Sequence, residues 1–454
     1  MNVIIVGAGI SGLATAHALR QKHPGLELSV LEASSRTGGK VWTERTEEGY
    51  ACEWGVNGFL DNKPRTLGLA GALGLKPVPG AADAARRYVY RGGRLHRLPE
   101  SPPAFLTSGL MSFPGRLRVL LEPFIGRGTA EDESLADFAR RRLGKEALQA
   151  LIDPMASGVF AGDPERMSLQ SCFPRIHEIE QQYGSLIRGM IRLQRESRRS
   201  GKGPGPGPGP GGKLTSFQRG MSELTDRLTR QLGSMVRTGA EVESIARESG
   251  RYQLQLADGT QLEAERLVLA APAWAQANML RELAPEMSTL LEHIPYPPLA
   301  VACLGYRSRD LTTMPDGFGY LVPSEERGPV LGTIFDSNVF PSRAPEGRVL
   351  LRSMVGGSRA PELAMRNPDQ ILDSVRAGLR SVLGIHAEPE FGKVHVHHRA
   401  IPQYPVGHAA RLQAIDTELQ RHPGLLLTGN AFRGVSLNDC VANAHALAAN
   451  FSDI

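Results

Sequence analysis

Residues 2–39, NVIIVGAGISGLATAHALRQKHPGLELSVLEASSRTGG, decide the fold of this chain. The apolar run over residues 3–6 predicts a buried parallel strand that begins almost at the N-terminus. Gly7, Gly9 and Gly12 follow with the spacing of a phosphate-binding turn, in which the second glycine leaves the backbone bare for a pyrophosphate. The strand and the glycine turn therefore predict the start of a dinucleotide-binding unit.

A helix and a second strand complete this unit. The helix begins near Ile10, and its N-terminal N–H groups and positive dipole end would face the phosphate. Glu32 ends the next strand, twenty residues after Gly12, where a carboxylate can bind a ribose hydroxyl. Strand, turn, helix and acid in this order favour dinucleotide binding over a structural glycine turn.

The residues after Glu32 indicate which dinucleotide is bound. Arg36, Gly38 and Gly39 follow the acid with the spacing typical of FAD enzymes of the amine-oxidase and glutathione-reductase type. A glycine pair there lets the chain pass close to the cofactor, and Arg36 would lie near its phosphates. The alternative is an ordinary surface turn with a solvated arginine. The position favours FAD over NAD.

Composition limits the function classes. The chain has 454 residues, enough for two or three structural regions, and 52 basic against 47 acidic residues give a net charge of +5. Its arginines are scattered, which disfavours nucleic-acid binding. The four cysteines lie far apart without a zinc-ligand pattern, so free thiols are expected and no metal site is predicted.

The chain start and its hydropathy suggest a location. The first strand leaves no room for a signal peptide, and no run of about eighteen apolar residues could span a membrane. We therefore expect a protein on the cytoplasmic side. A monomer and a homodimer both stay open.

The fold class is α/β at its core and α+β overall. Strand and turn signals predict a hairpin in RYVYRGGRLHRLP, another at Asp258–Gly259, and a strand in LVLAAPA that returns to the cofactor sheet. We expect these regions: FAD-binding 1–83, helical and membrane-associating 84–200, a flexible Gly/Pro linker 201–213, FAD-binding 214–272, a mixed-sheet substrate domain 273–390, and FAD-binding 391–454.

Five segments together resemble the protoporphyrinogen oxidase family: GAGISG, EASSRTGG, GFGYLVP, SMVGG and GNAFRGVSLNDCV. The first two are shared by many flavin oxidases, whereas GFGYLVP followed by VLGTIFDS, and the last segment, are more specific. The resemblance covers essentially the whole chain in the same order. It implies a Rossmann-like FAD domain, a substrate domain, and a helical domain that sits on a membrane without crossing it.

The resemblance also implies residue roles. The cofactor would be held by Gly7, Gly9, Ser11, Gly12, Glu32, Arg36, Gly39, Val242, Asn430, Val435 and Ser436. The tetrapyrrole cleft would be lined by Asn57, Phe318, Gly319, Leu321 and Met354. The three apolar side chains of the cleft set could instead be ordinary core. No protein side chain is expected to act as a catalytic residue, because the cofactor carries out the hydride transfer.

Two departures from the family pattern concern Asn57 and residues 218–221. Some members have an arginine at the position of Asn57, thought to pair with a substrate propionate; an amide can donate a hydrogen bond but carries no charge. A glycine pair usual after the LTSF segment is replaced by Gln218-Arg219-Gly220-Met221. The propionate partner and this second cofactor loop are therefore left open.

The stretch VHVHH, residues 394–398, raises the question of a metal. Alternation places His395 and His397 on one face of a strand, but no acidic or cysteine partner accompanies them. We expect a solvated strand.

Residues 102–125 raise the question of a membrane surface. Seven apolar residues are concentrated there, with Arg116 and Arg118 among them, as in a segment that lies in a lipid interface. A helix packed on the core is the alternative. The resemblance favours peripheral association with the cytoplasmic membrane.

The resemblance implies oxidation of protoporphyrinogen IX in haem biosynthesis, with six electrons removed in three FAD cycles, oxygen as acceptor and hydrogen peroxide as product. Coproporphyrinogen III is the alternative substrate. A flavin amine oxidase is a second alternative, although the three tryptophans do not lie in the C-terminal segment as an aromatic cage would require. A non-enzymatic FAD-binding scaffold is the third.

Overall fold

The computed structural model describes residues 1–199, 212–311 and 314–451. Residues 200–211, which carry nearly all of the predicted Gly/Pro linker, lie outside the described residues.

The strands, in chain order, are β1 Asn2–Val6, β2 Glu27–Glu32, β3 Thr43–Arg45, β4 Ala51–Glu53, β5 Phe59–Leu60, β6 Val78–Pro79, β7 Arg87–Arg91, β8 Arg94–Arg97, β9 Leu214–Ser216, β10 Val236–Thr238, β11 Val242–Glu248, β12 Arg251–Leu256, β13 Gln261–Ala264, β14 Arg266–Leu269, β15 Leu299–Arg307, β16 Gly319–Leu321, β17 Gly332–Ile334, β18 Arg348–Gly356, β19 Phe391–His397 and β20 Leu425–Leu427.

The helices are α1 Ile10–Lys22, α2 Pro64–Ala72, α3 Pro102–Thr107, α4 Phe113–Leu120, α5 Leu135–Arg142, α6 Lys145–Ala147, α7 Asp153–Phe160, α8 Leu169–Cys172, α9 Pro174–Tyr183, α10 Leu186–Arg199, α11 Ser222–Leu232, α12 Ala273–Leu280, α13 Pro285–Glu292, α14 Asp336–Val339, α15 Pro361–Ala364, α16 Pro368–Leu383, α17 His408–Leu419 and α18 Leu437–Ala449.

A five-stranded parallel sheet forms the centre of the first layer, with the strand order β10-β2-β1-β14-β20. Helix α1 connects β1 to β2, which confirms the predicted βαβ unit with Glu32 at the end of β2. The strand predicted in LVLAAPA is β14, and it pairs with β1 as expected. The carboxyl ends of these parallel strands share one edge, where ligands of such sheets bind.

Helix α1 is buried on most of its surface, because it packs between the sheet and helices α11 and α18. Its residues from Ile10 to Leu19 are all buried, which explains their small and apolar character. Leu13 and Leu19 are 0% exposed, and they pack in one core cluster with Val30, Val268 and Val441. This core fixes the helix N-terminus relative to the ends of the strands.

A seven-stranded mixed sheet forms the second layer, in the order β19-β15-β18-β17-β16-β7-β8. It takes its strands from residues 87–97, 299–356 and 391–397, and the predicted hairpin in RYVYRGGRLHRLP is β7–β8. Helix α16 covers one face of this sheet. The other face packs against β4 and Trp54 of the first layer. The domain boundaries expected from the sequence stay a prediction.

Helices α3–α10 form a third region, which is held by a buried ionic network. Arg142 is 0% exposed and ion-pairs with Glu122 at 2.9 Å and with Glu180 at 2.6 Å. Both acids come from other parts of the region, so the network joins α5 to α9 and to the turn at residues 122–124. Every helix in the described ranges is too short or too polar to cross a bilayer.

Candidate active site

The glycine turn after β1 leaves one bare stretch of backbone. A Cβ added at Gly12 would lie 1.8 Å from the Gly7 carbonyl oxygen, so the helix must carry glycine there to pack against the turn. A Cβ added at Gly9 would meet nothing within 4 Å. Gly9 therefore faces open space at the carboxyl edge of the sheet, as expected for a position that a phosphate approaches.

The N-terminus of α1 is free to bind an anion. Its N-cap, Gly9, supplies no side-chain cap, and the first turn contains no acidic residue. The amide groups and the positive dipole end of the helix are thus available for a phosphate. Ser11 is buried in this first turn and its hydroxyl contacts the thiol of Cys440 in α18.

Glu32 lies beside the glycine turn. Its Oε2 accepts a hydrogen bond from the Ala8 amide at 2.8 Å, and its Oε1 accepts from Ser34. The Glu32 carbonyl accepts from the Ala240 amide, which brings the start of β11, with Val242, next to the acid. Glu32, predicted to bind ribose, and Val242, also predicted to hold the cofactor, are therefore neighbours.

The second glycine pair packs directly on the first turn. Gly38 forms a β-bridge with Gly9, and a Cβ at Gly39 would lie 3.3 Å from the Gly9 Cα. Arg36 holds this turn, because its guanidinium donates to the Gly39 carbonyl at 2.8 Å and lies 4.4 Å from the centre of the Trp42 ring. Arg36 is thus close to the bare backbone but is also a structural part of the turn.

Lys40 directly follows the second glycine pair and is a cation that the sequence reasoning missed. We refer to the surface formed by Gly9, Gly39 and Lys40 as the cofactor groove. It is half-buried, its ammonium lies 5.4 Å from the centre of the Tyr296 ring, and desolvation lowers its pKa to about 8. Within the described part of the chain no acid pairs with it. A desolvated cation beside the glycine turns fits a group that carries negative charge.

The C-terminal segment reaches the same edge of the sheet. The Asn430 carbonyl accepts a hydrogen bond from the Tyr404 hydroxyl at 2.5 Å, and Val435 packs in the cluster around Tyr404. Ser436 caps α18 in a capping box with Asp439. The N-terminus of α18 is therefore already capped by a carboxylate, whereas that of α1 is not. A phosphate would bind less well at α18 than at α1.

Leu321 and Met354, two of the residues predicted for the substrate cleft, lie on the face of the seven-stranded sheet that turns away from α16. Leu321, Gly332 and Met354 are in register across β16, β17 and β18. Leu321 packs on α7 at Gly158, and Met354 packs near Ala161.

Phe318 precedes β16 and packs beside Ile334. Gly319 begins that strand with a φ of +144°, where an added Cβ would lie 2.1 Å from the Thr333 carbonyl oxygen. The structure thus brings Phe318, Gly319, Leu321 and Met354 to one part of one sheet.

Asn57 lies apart from these four, in the loop between β4 and β5. This loop adjoins the glycine turn, because a Cβ at Gly55 would lie 1.9 Å from the Lys40 carbonyl oxygen. Asn57 is 9% exposed, and neither of its amide atoms makes a fully formed hydrogen bond to any described residue. Its loop packs on Lys40 through Gly55, and its amide lies within reach of Asp336, which follows β17.

Arg87 is a second residue that the sequence reasoning missed. It begins β7 opposite Gly319 in the parallel pair β7–β16, and its guanidinium lies 5.6 Å from the centre of the Phe318 ring. The side chain is exposed, and no ion pair engages it among the described residues. As one arginine of several in a predicted hairpin, it carried no signal that distinguished it.

The expectation of a solvated strand at residues 394–398 is wrong for the face that carries His395 and His397. The His395 ring packs 4.8 Å from Trp42, and His397 Nε2 lies 2.6 Å from the Trp54 carbonyl oxygen. Burial lowers the pKa of His397 to about 4, so this ring is neutral near pH 7. The described residues contain no cluster of ligands that could hold a metal ion.

Together, the parallel sheet, the bare backbone at Gly9, the uncapped α1 and the ribose carboxylate define a dinucleotide-binding protein. The chain belongs to the family of flavin-containing amine oxidoreductases, whose pattern it matches over residues 10–450. Its cofactor is FAD, and it is a flavin oxidoreductase. The residues described above fit this cofactor in charge and shape.

Individual relatives span nearly the whole chain. A chloroplastic protoporphyrinogen oxidase of Oryza sativa subsp. japonica is 35% identical over 99% of this chain and 88% of its own length. A coproporphyrinogen III oxidase of Bacillus subtilis (strain 168) is 31% identical over 98% of this chain and 96% of its own length. The crystal structure of a candidate protoporphyrinogen oxidase from Exiguobacterium sp. 255-15 superposes with a TM-score of 0.83 at 27% identity, covering 99% and 98% of the two chains.

Proposed function

We propose that this protein oxidises protoporphyrinogen IX to protoporphyrin IX in haem biosynthesis. The observation that carries the proposal is the apolar row of Leu321, Gly332 and Met354 on the substrate sheet, in a chain similar over 99% of its length to the rice enzyme. Bound FAD supplies two-electron hydride acceptance, so that removing six electrons takes three cycles with oxygen as the acceptor and hydrogen peroxide as the product.

The protein's part in this reaction is to bind the macrocycle and to exclude water. Leu321 and Met354 offer apolar surface for a flat tetrapyrrole, and Phe318 extends it at the start of β16. No protein base is required, because a hydride lost from a bridging carbon can be followed by loss of a proton from a pyrrole nitrogen. His397 is neutral near pH 7, because burial lowers its pKa to about 4, so it adds no charge beside Lys40 and Arg36.

Arg87 is the partner that we propose for a substrate propionate. Its guanidinium lies beside Phe318, it carries a charge that Asn57 lacks, and a carboxylate is the group that a guanidinium binds best. The sequence left the propionate partner open, and this assignment names a candidate for it.

Coproporphyrinogen III is the second candidate substrate, because the Bacillus subtilis relative is named for it. It carries four propionates where protoporphyrinogen IX carries two, and would need more cationic contacts. Arg86, next to Arg87, is paired with Asp316 at 3.1 Å, which leaves Arg87 as the less neutralised of the two. This supports the substrate with fewer carboxylates.

An amine substrate and a non-catalytic FAD-binding role have less support. An aromatic cage opposite the cofactor is usual for amine oxidation, but each of the three tryptophans packs against other protein groups, and none lies in the C-terminal segment. Trp54 is buried, Trp42 lies under Arg36, and Trp274 lies under Arg399. A scaffold protein would not need the apolar row.

We further propose that the protein works on the cytoplasmic side, bound to the surface of the cytoplasmic membrane through α4 and the turn that follows it. Phe113 and Phe124 are 71% and 78% exposed, and they are joined by further exposed residues: Leu106, Leu117, Leu120 and Leu121. Such an apolar patch fits the interfacial layer of a bilayer.

Arg116 and Arg118 were expected to contribute basic flanks to this patch. They donate instead to the backbone: Arg116 to the carbonyls of Leu106 and Ser108, and Arg118 to those of Arg141 and Arg142. Apolar contact rather than charge would therefore drive binding to the membrane. Co-sedimentation with vesicles tests this, and an absence of binding to neutral and anionic vesicles alike would contradict it.

Aerobic turnover with each porphyrinogen tests the proposed activity. We expect porphyrin fluorescence to rise with protoporphyrinogen IX, with three hydrogen peroxide molecules formed per porphyrin, as six electrons divided by two require. Faster turnover of coproporphyrinogen III would favour the second candidate.

A further inference from the structure

Asn57 carries a buried amide that is available to a bound ligand. Asn57 is nine-tenths buried, and both its Nδ2 and its Oδ1 lack a fully formed hydrogen bond within the described ranges. Leaving both atoms of a buried amide unpaired is costly, so the side chain is expected to be completed by a bound group. Its loop packs on the second glycine turn, where Gly55 meets the Lys40 carbonyl, and on the substrate sheet, where Arg352 donates to the Gly55 carbonyl.

Asp336 limits how this amide can be oriented. The Asn57 amide lies within hydrogen-bonding reach of the Asp336 carboxylate, although the contact is not a fully formed hydrogen bond. Asp336 is 0% exposed and lies 3.1 Å from the Arg352 guanidinium, whose other hydrogen bonds go to the Glu53 and Gly55 carbonyls. Burial raises the pKa of Asp336, whereas the charges of Arg352 and Arg343 oppose this shift. The direct contact with the permanently charged Arg352 guanidinium favours the ionised carboxylate.

An ionised carboxylate can only accept hydrogen bonds. The Asn57 NH2 group must therefore turn towards Asp336, which leaves Oδ1 for the opposite side. The same cluster also connects to the predicted cleft, since the Phe335 amide next to Asp336 donates to the Phe318 carbonyl at 2.9 Å.

We propose that Asp336 orients Asn57 so that the Oδ1 atom accepts a hydrogen bond from the N–H group of a planar heterocycle bound in the groove. This N–H is either the imide of the cofactor's flavin ring or a pyrrole N–H of the substrate. Asn57 is then a binding residue and Asp336 a positioning residue. The inference rests on the proposed function where the N–H belongs to the substrate. It also rules out a propionate as the partner of Oδ1, because a carboxylate offers no donor.

The test uses the FAD-loaded protein and the variants Asn57→Leu, Asn57→Arg, Asp336→Asn and the double variant Asn57→Leu/Asp336→Asn. Asp258→Asn is the control, since it removes a surface carboxylate paired with Arg237 far from this cluster. We expect Asn57→Leu and Asn57→Arg to weaken ligand binding about tenfold, because neither side chain can accept a hydrogen bond. Asp336→Asn should weaken it less, and the double variant should bind no worse than Asn57→Leu alone, as for residues that act through one contact.

Two measurements decide whether the N–H group belongs to the flavin or to the substrate. FAD and N3-methyl-FAD are titrated into apoprotein, and KM and kcat are measured with protoporphyrinogen IX. If the flavin imide is the donor, the N3-methyl group weakens binding to the wild-type protein but not to Asn57→Leu. If a pyrrole is the donor, both cofactors bind all variants equally, and KM rises in Asn57→Leu.

Three results bear against the inference. Tighter substrate binding in Asn57→Arg would show that the substrate binds a hydrogen-bond donor at residue 57 rather than an acceptor. Unchanged FAD affinity together with unchanged KM in Asn57→Leu would show that Asn57 binds neither group. Additive losses in the double variant would remove the role of Asp336. A wild-type holoprotein without porphyrinogen turnover would contradict the proposed function instead, and the FAD titration alone would then decide the inference.

Discussion

The Glu53 carboxylate and the Arg343 guanidinium lie 2.7 Å apart, and neither side chain is exposed to solvent. Glu53 also accepts hydrogen bonds from the Met221 amide and the Thr43 hydroxyl, and Arg343 donates to the Ser216 hydroxyl. This pair therefore joins β4, the chain before α11 and the segment that follows α14. It holds the cofactor layer against the substrate sheet.

Removing one member of this pair should destabilise the protein strongly. Arg343→Met removes the nearest cation from Glu53, whose pKa burial already raises to about 7. We expect a loss of about 3–5 kcal/mol in the free energy of unfolding, measured with urea. The double variant Glu53→Gln/Arg343→Met is the matched control and should lose less. An equal loss in both variants would mean that the charge of Glu53 is not what the arginine compensates.

Gly9→Ala and Gly12→Ala should separate cofactor binding from folding. An added Cβ at Gly9 meets only open space, so Gly9→Ala should fold with normal thermal stability as apoprotein but bind FAD at least about tenfold more weakly. A Cβ at Gly12 would collide with the Gly7 carbonyl, so Gly12→Ala should lower the melting temperature of the apoprotein. Normal FAD affinity in Gly9→Ala would contradict the placement of the phosphates.

Lys40 should make FAD binding depend on pH. Its pKa of about 8 in the apoprotein means that the ammonium loses its proton as pH rises through that value, whereas an anionic ligand favours the protonated form. Affinity for FAD should therefore fall from pH 7 to pH 9 in the wild-type protein. Lys40→Met should bind weakly at both values, with a flatter pH dependence. A wild-type affinity that rises with pH would exclude this role.

Arg87→Leu should raise KM for protoporphyrinogen IX by about tenfold or more, because a charge-assisted hydrogen bond to a propionate is lost. The FAD content should not change, since Arg87 lies on the substrate sheet rather than in the glycine turns. Arg94→Leu, in the other strand of the same hairpin, is the control. Equal KM values in the two variants would show that Arg87 does not bind the substrate.

The cofactor half of the site could be predicted from the sequence because its signals are local. The glycine spacing, the helix that starts at Ile10 and the acid at Glu32 lie within one βαβ unit, and the structure confirms each of these elements. The return of β14 to this sheet was also predictable, since a continuous apolar strand belongs in a parallel sheet.

The remaining features needed tertiary structure. Asn57 and Asp336 are far apart in the chain, and only the packing of the two sheets brings them together. Lys40 and Arg87 look like ordinary turn and hairpin cations in the sequence. Only the three-dimensional structure shows that no acid among the described residues pairs with either of them. The strand with His395 and His397 was expected to be solvated because its partners, Trp42 and Trp54, come from another layer.

The most direct test of the central claim is anaerobic mixing of the FAD-loaded protein with protoporphyrinogen IX, followed by admission of oxygen. We expect the flavin absorbance near its visible maximum to bleach as porphyrin fluorescence rises, and to return when oxygen is added. Bleaching by coproporphyrinogen III alone would reassign the substrate. An unbleached flavin with both porphyrinogens would contradict the proposed activity and leave a flavin oxidoreductase with another substrate.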